Sequence, residues 1–251
     1  MKEVIIRRLK DLEKEKNIRI LFAVESGSRE WGFASEDSDY DIRCVHVSPR
    51  DSYLSLTHPP EQISLIEGDL DIVSWDIRKF FTLFLKSNPT VSEWLSSKVS
   101  YIEGRFAGAD RDNLRQIFDR GFSRSTLMKH YVSLARKNYS KYIGKDDEPV
   151  LLKKYVYILR ALGCAEFIKQ TGNLPPLNWK ESSIYLPEDI RSEFAKLVKL
   201  KQTSESTCDS RVKRVDEFIE EKFREEVSQA HDSFDKKYLN DLVVKVINLD
   251  Q

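Results

Sequence analysis

The sequence predicts an α+β protein: a small mixed β-sheet flanked by helices, followed by an all-helical part. Three observations carry this expectation. Four short runs rich in β-branched and aromatic residues fall before position 76. The apolar spacing then switches to a helical period at Asp76. After about residue 108 no convincing strand pattern appears, while helical spacing recurs to the end.

Taken in order, Val4, Ile5, Leu9 and Leu12 recur at helical spacing, so residues 2 to 15 read as an amphipathic helix. IRILFAV (18–24) is short, apolar and β-branched, the pattern of a central strand. A second strand covers roughly 40 to 47. QISLI (62–66), the turn EGD and LDIVSW (70–75) give two more. Ile77, Phe80, Phe81, Phe84 and Leu85 mark a helix that ends near Asn88-Pro89, and VSEWL suits a short helix after it. Later helices are expected over 114–118, 127–143, 150–168, 190–200, 212–223 and 238–247, with LPPLNW (174–179) as a break and TSESTCDS (203–210) as a polar loop. The expected division is residues 1–107 and 108–251.

Lys plus Arg and Asp plus Glu number 41 each, so net charge gives no global argument for a nucleic-acid or membrane surface; any such surface must be a local patch. The N-terminal MKEVIIRRLKDLEKEKN is too charged for a signal peptide, and no apolar run approaches a membrane span. Cys44, Cys164 and Cys208 are scattered, without a CxxC pair; reduced thiols in a cytoplasmic protein are the plain reading, and zinc is not expected.

The chemistry-bearing stretch is ESGSREWGFASEDSDYDIR (25–43), acidic and rich in small residues yet set between two core strands. Gly27-Ser28 follows a buried strand, and residues 28 to 33 suit a helical turn whose free N–H groups can meet phosphate oxygens. Ser28 adds a hydroxyl and Arg29 a charged fork. Gly-Ser at a strand end is, by itself, more often a plain turn. Asp39 and Asp41, two apart as a strand begins, leave the same face. Their like charges repel unless a cation sits between them, and carboxylate oxygens suit Mg²⁺. A solvated strand edge is the alternative for an isolated D-x-D, and Asp37 reads as a solvated loop residue. Asp71, before Ile72 and Val73, can join the pair if the strands are neighbours, which would supply the three carboxylates of a two-metal phosphoryl-transfer site. Asp76 competes for that third place, but it directly precedes the apolar-periodic helix, where an N-cap is the simpler reading.

Gly27-Ser28 followed by Asp39-Tyr40-Asp41 and apolar residues resembles the G-[GS]…D-x-D pattern of the DNA polymerase β nucleotidyltransferase superfamily, with Asp71 in LDIV like its third carboxylate. The wider wording, with YLSL, DLDIVSWDIRKFFTLFLKSNPTVSEWLSS and LLKKYVYILRALGCAEFI, resembles a narrower group, the nucleotidyltransferases linked to RNA repair ligases (RlaP type). This similarity runs from about residue 22 to 180; the stretch beyond 185 resembles nothing further. The resemblance implies a small mixed-sheet catalytic core at 1–107 and a helical domain at 108–251 that closes the cleft. It implies transfer of a nucleoside monophosphate from an NTP with Mg²⁺ or Mn²⁺. Gly27 and Ser28 would hold the triphosphate, Asp39 and Asp41 the metals, and Asp71 would complete the metal site and activate the acceptor. RNA is the implied acceptor, with an RNA ligase or another repair enzyme as a candidate partner.

In the helical half, Lys153, Tyr157 and Arg160 can share one helix face, a basic stripe with an aromatic that suits phosphates and a stacked base. A solvated basic face with Tyr157 half-buried is an equal reading of that spacing. Lys154 is one position off the stripe, and Arg136 and Lys137 read as solvated surface. His46 reads as a core or edge histidine; His58, His130 and His231 are isolated, and the four Trp residues pack the cores or their interface. The run VDEFIEEKFREEV reads as an exposed face or an oligomer contact. Two alternative functions stand beside RNA end modification: adenylylation of a protein side chain, and a catalytically inactive nucleic-acid-binding protein. A P-loop sensor is excluded because no GxxxxGK[ST] exists.

Overall fold

Helix α1 (Lys2–Lys16) buries Ile5, Leu9 and Leu12 and ends at Asn17, whose left-handed backbone (φ 49°) closes the last turn. The structure is a computed structural model and describes residues 1–104, 106, 110–143, 150–203, 207–208, 211–225 and 234–249. Strands β1 (Arg19–Ser26), β2 (Tyr40–Val47), β3 (Gln62–Glu67), β4 (Leu70–Asp76) and β5 (Ser100–Ile102) form one mixed sheet in the order β3-β4-β2-β1-β5. β2 and β4 run parallel; the other neighbours are antiparallel. The short helix α2 (Gly27–Trp31) follows β1 directly, and α3 (Arg50–Leu54) follows β2. On one face of the sheet Ile5, Leu9 and Leu12 pack against Ile20, Ala23, Ile42, Cys44, Leu70 and Ile72. The alternating burial along β4 is what a strand with one covered face shows.

After the sheet come α4 (Ile77–Leu85), α5 (Pro89–Ser96), α6 (Arg111–Gly121), α7 (Arg124–Tyr142), α8 (Leu152–Thr171), α9 (Trp179–Ser182), α10 (Glu188–Thr203), α11 (Lys213–Arg224) and α12 (Lys236–Leu249). Asp76 caps α4, accepting from the Arg78 N–H at 2.9 Å, and its other oxygen accepts from Tyr53 at 2.5 Å. The N-cap reading of Asp76 therefore describes the residue. α8 is buried on nearly every side, as suits the central helix of a bundle.

The α+β class stands, with a few elements beyond the expectation. Ser100–Ile102 and Arg50–Leu54 were not foreseen, being too short to carry a period. Val150–Leu151, placed at the start of a helix by its pattern, pairs instead as strand β6 with Thr207–Cys208, strand β7. The expected polar loop at 203–210 therefore holds one strand of this pair, while its residues 204–206 and 209–210 lie outside the described residues. So do His231, the last two residues of VDEFIEEKFREEV, and the expected boundary at 107/108.

Two compact units divide the chain along other lines. The first comprises Met1–Glu30, Asp39–Phe122 and Asp232–Gln251; the second comprises Trp31–Ser38 and Ser123–His231. α6 and α12 belong with the sheet because Phe118 and Phe234 close around Phe84 (ring centroids 5.0 and 5.1 Å). Gly121 leaves room for Phe234, since a Cβ there would lie 2.4 Å from its ring. The eight residues Trp31–Ser38 belong with the helices. Phe33 is wholly buried, its carbonyl accepts from buried Lys201 (3.2 Å), and the Gly32 carbonyl accepts from Trp179 Nε1 (3.2 Å). Gly32 has φ 86° and faces Asn178, which a Cβ would approach to 2.8 Å. Among the described residues no helix is long and apolar enough to cross a membrane.

Candidate active site

The parallel ladder of β2 and β4 puts Asp41 directly opposite Asp71. Adjacent strands in register bring two side chains of one face close, so the thirty residues between them disappear in space. β1, on the other side of β2, sets Ser26 opposite Asp41, and the chain leaves that strand at Gly27. Gly27 has φ 64°, and a Cβ built on it would lie 1.9 Å from Asp41 Oδ2. The glycine is thus required twice, by a left-handed backbone and by a carboxylate lodged against its Cα.

The guanidinium of Arg43 joins the two carboxylates. Its Nη2 donates to Asp41 Oδ1 at 2.6 Å and to Asp71 Oδ2 at 2.8 Å, and its Nη1 donates to the Asp71 carbonyl at 2.8 Å. Arg43 lies two residues beyond Asp41 on the same strand face, a spacing visible in the sequence but not used there. Burial pushes the Asp41 carboxyl above its usual range, with Asp71 and Asp39 adding to the effect and Arg43 opposing it.

Glu25 supports the pair from β1. It is 2% exposed, accepts from the Asp41 N–H at 2.9 Å, and takes a short hydrogen bond from the Tyr101 hydroxyl. Burial raises its pKa, while the bonds from Tyr101 and Asp41 pull the other way. Tyr101 comes from β5, the strand that sequence pattern missed. The nearest signal for Glu25 was its place at the strand end before Gly27-Ser28.

The other expected residues of this unit fall nearby. Ser28 is buried in α2. Arg29 donates from Nε to the Asp39 carbonyl (3.2 Å) and lies 3.9 Å above the Tyr40 ring, so it ties α2 to the start of β2. Asp39 is exposed, as is Asp37. The donor chemistry suits a hard divalent cation: exposed Asp39 beside partly exposed Asp41 and Asp71. Yet among the described residues no three His, Cys, Asp or Glu side chains are arranged around one metal position. Asp41 and Asp71 instead converge on Arg43.

Within the helical unit, Tyr157 and Arg160 share a face of α8, and Lys153 is exposed further along the helix. Tyr157 packs on Trp31 and Phe33 at centroid distances of 5.8 and 5.7 Å. Arg160 is 3% exposed with its guanidinium 3.9 Å above the Trp31 ring. Lys154, not Lys153, approaches Tyr157, at 5.9 Å, and sits 4.0 Å above Tyr142. Arg136 donates to the Phe223 carbonyl at 2.6 Å, and Lys137 is exposed. Of the tryptophans, Trp75 and Trp94 pack in the sheet unit with ring centroids 4.0 Å apart and planes tilted by 33°. His46 is wholly buried and bonds Ser74 through Nδ1 at 2.7 Å.

Comparison with known proteins extends over nearly the whole chain. The sequence model of the RNA repair pathway DNA polymerase beta family (RlaP) matches residues 1–245. The chain is also 35% identical over 224 residues to the Bacillus subtilis (strain 168) protein named "Uncharacterized protein YcgL", covering 88% of this chain and 84% of that one.

Proposed function

The chain belongs to the RNA repair pathway DNA polymerase beta family, and on that premise we propose that it transfers a nucleoside monophosphate from an NTP to a hydroxyl at an RNA end, releasing pyrophosphate. The observation that carries this reading is the register of Asp41 against Asp71 beside Gly27-Ser28. Two carboxylates on neighbouring strands next to a glycine turn match what nucleotidyl transfer asks of its first residues.

In this reading Asp39, Asp41 and Asp71 hold Mg²⁺ or Mn²⁺, which when bound would neutralise phosphate charge and favour the ionised acceptor hydroxyl. Gly27 and Ser28 hold triphosphate oxygens; the buried Ser28 hydroxyl is a donor on a short, fixed turn. Arg29 fixes the Asp39 backbone and so the entry to the acidic strand. Asp71, the least confined of the paired carboxylates, takes the acceptor proton; its side chain is 34% exposed against 25% for Asp41. Glu25 keeps Asp41 in place by accepting its N–H. Lys153, Tyr157 and Arg160 are proposed as nucleotide-binding residues of the helical unit, within which Tyr157 and Arg160 pack on the Trp31–Phe33 stretch.

Incubation with each α-labelled NTP, Mg²⁺ or Mn²⁺, and either total RNA or a protein lysate tests the proposal. Label in RNA, abolished by Asp39→Ala plus Asp41→Ala, is expected. Label only in protein would move the activity to side-chain nucleotidylylation. No transfer with any nucleotide would end the enzymatic reading.

A further inference from the structure

Two carboxylates facing each other across one strand pair repel, and something positive must stand between them. Here that charge is supplied by the chain itself. Arg43 donates from one nitrogen to both Asp41 and Asp71, at 2.6 and 2.8 Å, and from the other to the carbonyls of Asp71 (2.8 Å) and Ile42 (3.2 Å). Its side chain is only 17% exposed. The Oδ1 of Asp41 and the Oδ2 of Asp71 are the oxygens it holds, while the Oδ2 of Asp41 is pressed against Gly27. An ion ligated by that same pair of oxygens would need the space the guanidinium fills.

We propose that Arg43 is a resident cation that competes with the divalent metal for Asp41 and Asp71, so that metal loading requires its guanidinium to swing off this carboxylate pair. The inference rests on the metal-site reading given above. Two consequences follow from charge alone. Without nucleotide, metal binding is weak, because the ion must displace a guanidinium nitrogen that bridges both carboxylates and then share the site with a positive charge. With a triphosphate present it tightens, because phosphate oxygens give the displaced guanidinium a new partner of the geometry it prefers. Arg43 thereby makes metal and nucleotide arrive together.

Mn²⁺ binding, followed by loss of the free-ion paramagnetic resonance signal, tests this on the full chain. For the unaltered protein, binding should be weak alone and tighten with a non-hydrolysable NTP analogue. Arg43→Gln should bind Mn²⁺ roughly tenfold tighter or more without nucleotide, and should lose the dependence on the analogue. Arg43→Lys, which keeps the charge, should stay close to the unaltered protein. Adding Asp71→Asn to Arg43→Gln should remove the gain. Because bare carboxylates destabilise Arg43→Gln, its melting temperature in EDTA should fall and recover on adding Mn²⁺. Equal or weaker Mn²⁺ binding by a folded Arg43→Gln overturns the competition while leaving the metal site intact. If neither protein binds Mn²⁺, with or without the analogue, the metal-site reading falls and this inference with it.

Discussion

At Gly27, backbone and side-chain demands meet on one atom that the residue lacks. A non-glycine residue at φ 64° carries a strain of about 1–2 kcal/mol, and a methyl group there would also overlap the Asp41 carboxylate. Gly27→Ala should therefore lower the melting temperature and reduce nucleotidyl transfer at least tenfold by displacing Asp41. A double-mutant cycle separates the two effects: in an Asp41→Ala background the stability loss should shrink to the backbone part. Full additivity of the two substitutions would show that no steric conflict with Asp41 exists. Gly27-Ser28 and the pair Asp39 and Asp41 were legible by their places at strand ends, whereas Asp71 could join them only if its strand were a neighbour, which the β2–β4 register supplies. Arg43 and Glu25 were not legible, because a charged residue near a strand end reads as solvated until the neighbouring strand is known. Only the register of β2 against β4 turns Arg43 toward two carboxylates at once.

Among the elements, β1, β2 and β4 could be read from apolar runs, and α1 and α4 from their spacing, down to the Asp76 cap. Ser100–Ile102 could not: three residues hold no period, and its partnership with β1 is decided by tertiary packing. Yet that strand delivers Tyr101 to Glu25. The β2–β4 pair carries a second buried polar contact on its other face, His46 with Ser74, and burial lowers the His46 pKa from 6.5 to about 4. The folded protein keeps this imidazole neutral where the unfolded chain would protonate it. Its contribution to stability is therefore complete above pH 6.5 and is lost as the pH falls toward 4. Burial raises the Glu25 and Asp76 carboxyls, and these act in the opposite sense over the same range. Comparing urea midpoints at pH 7 and pH 5 for the protein and His46→Gln isolates the histidine. The variant should show about 2 kcal/mol less acid-induced loss. An identical pH slope in the two proteins would rule the histidine out.

For the molecule as a whole, sequence pattern separated sheet from helices but not the units the chain builds. A single cut is the natural expectation when one pattern gives way to another. The aromatic contacts of Phe84 with Phe118 and Phe234, and the burial of Phe33 among helices, depend on chain excursions that no local pattern records. The Trp31–Ser38 stretch should share the stability of the helical unit. Leu159→Ala, a cavity in the wholly buried centre of α8 costing about 2–5 kcal/mol, should speed amide hydrogen exchange across 31–38. Exchange in β3 should stay unchanged. Equal acceleration in both places would mean that the protein opens as one cooperative body.

The same stretch has a consequence for the order in which the protein becomes competent during synthesis. Residues 28 and 39 leave the ribosome early, but the partners of the loop between them come much later. Trp179 bonds Gly32 across 147 positions, and Lys201 bonds Phe33 across 168. Domains assemble as their residues emerge, so a nascent chain that has already made its whole sheet still lacks the groups that hold this loop. The stretch around Gly32 and Phe33 is thus written early and fixed late, and a translation product that stops before Trp179 would lack the hydrogen bonds that hold it.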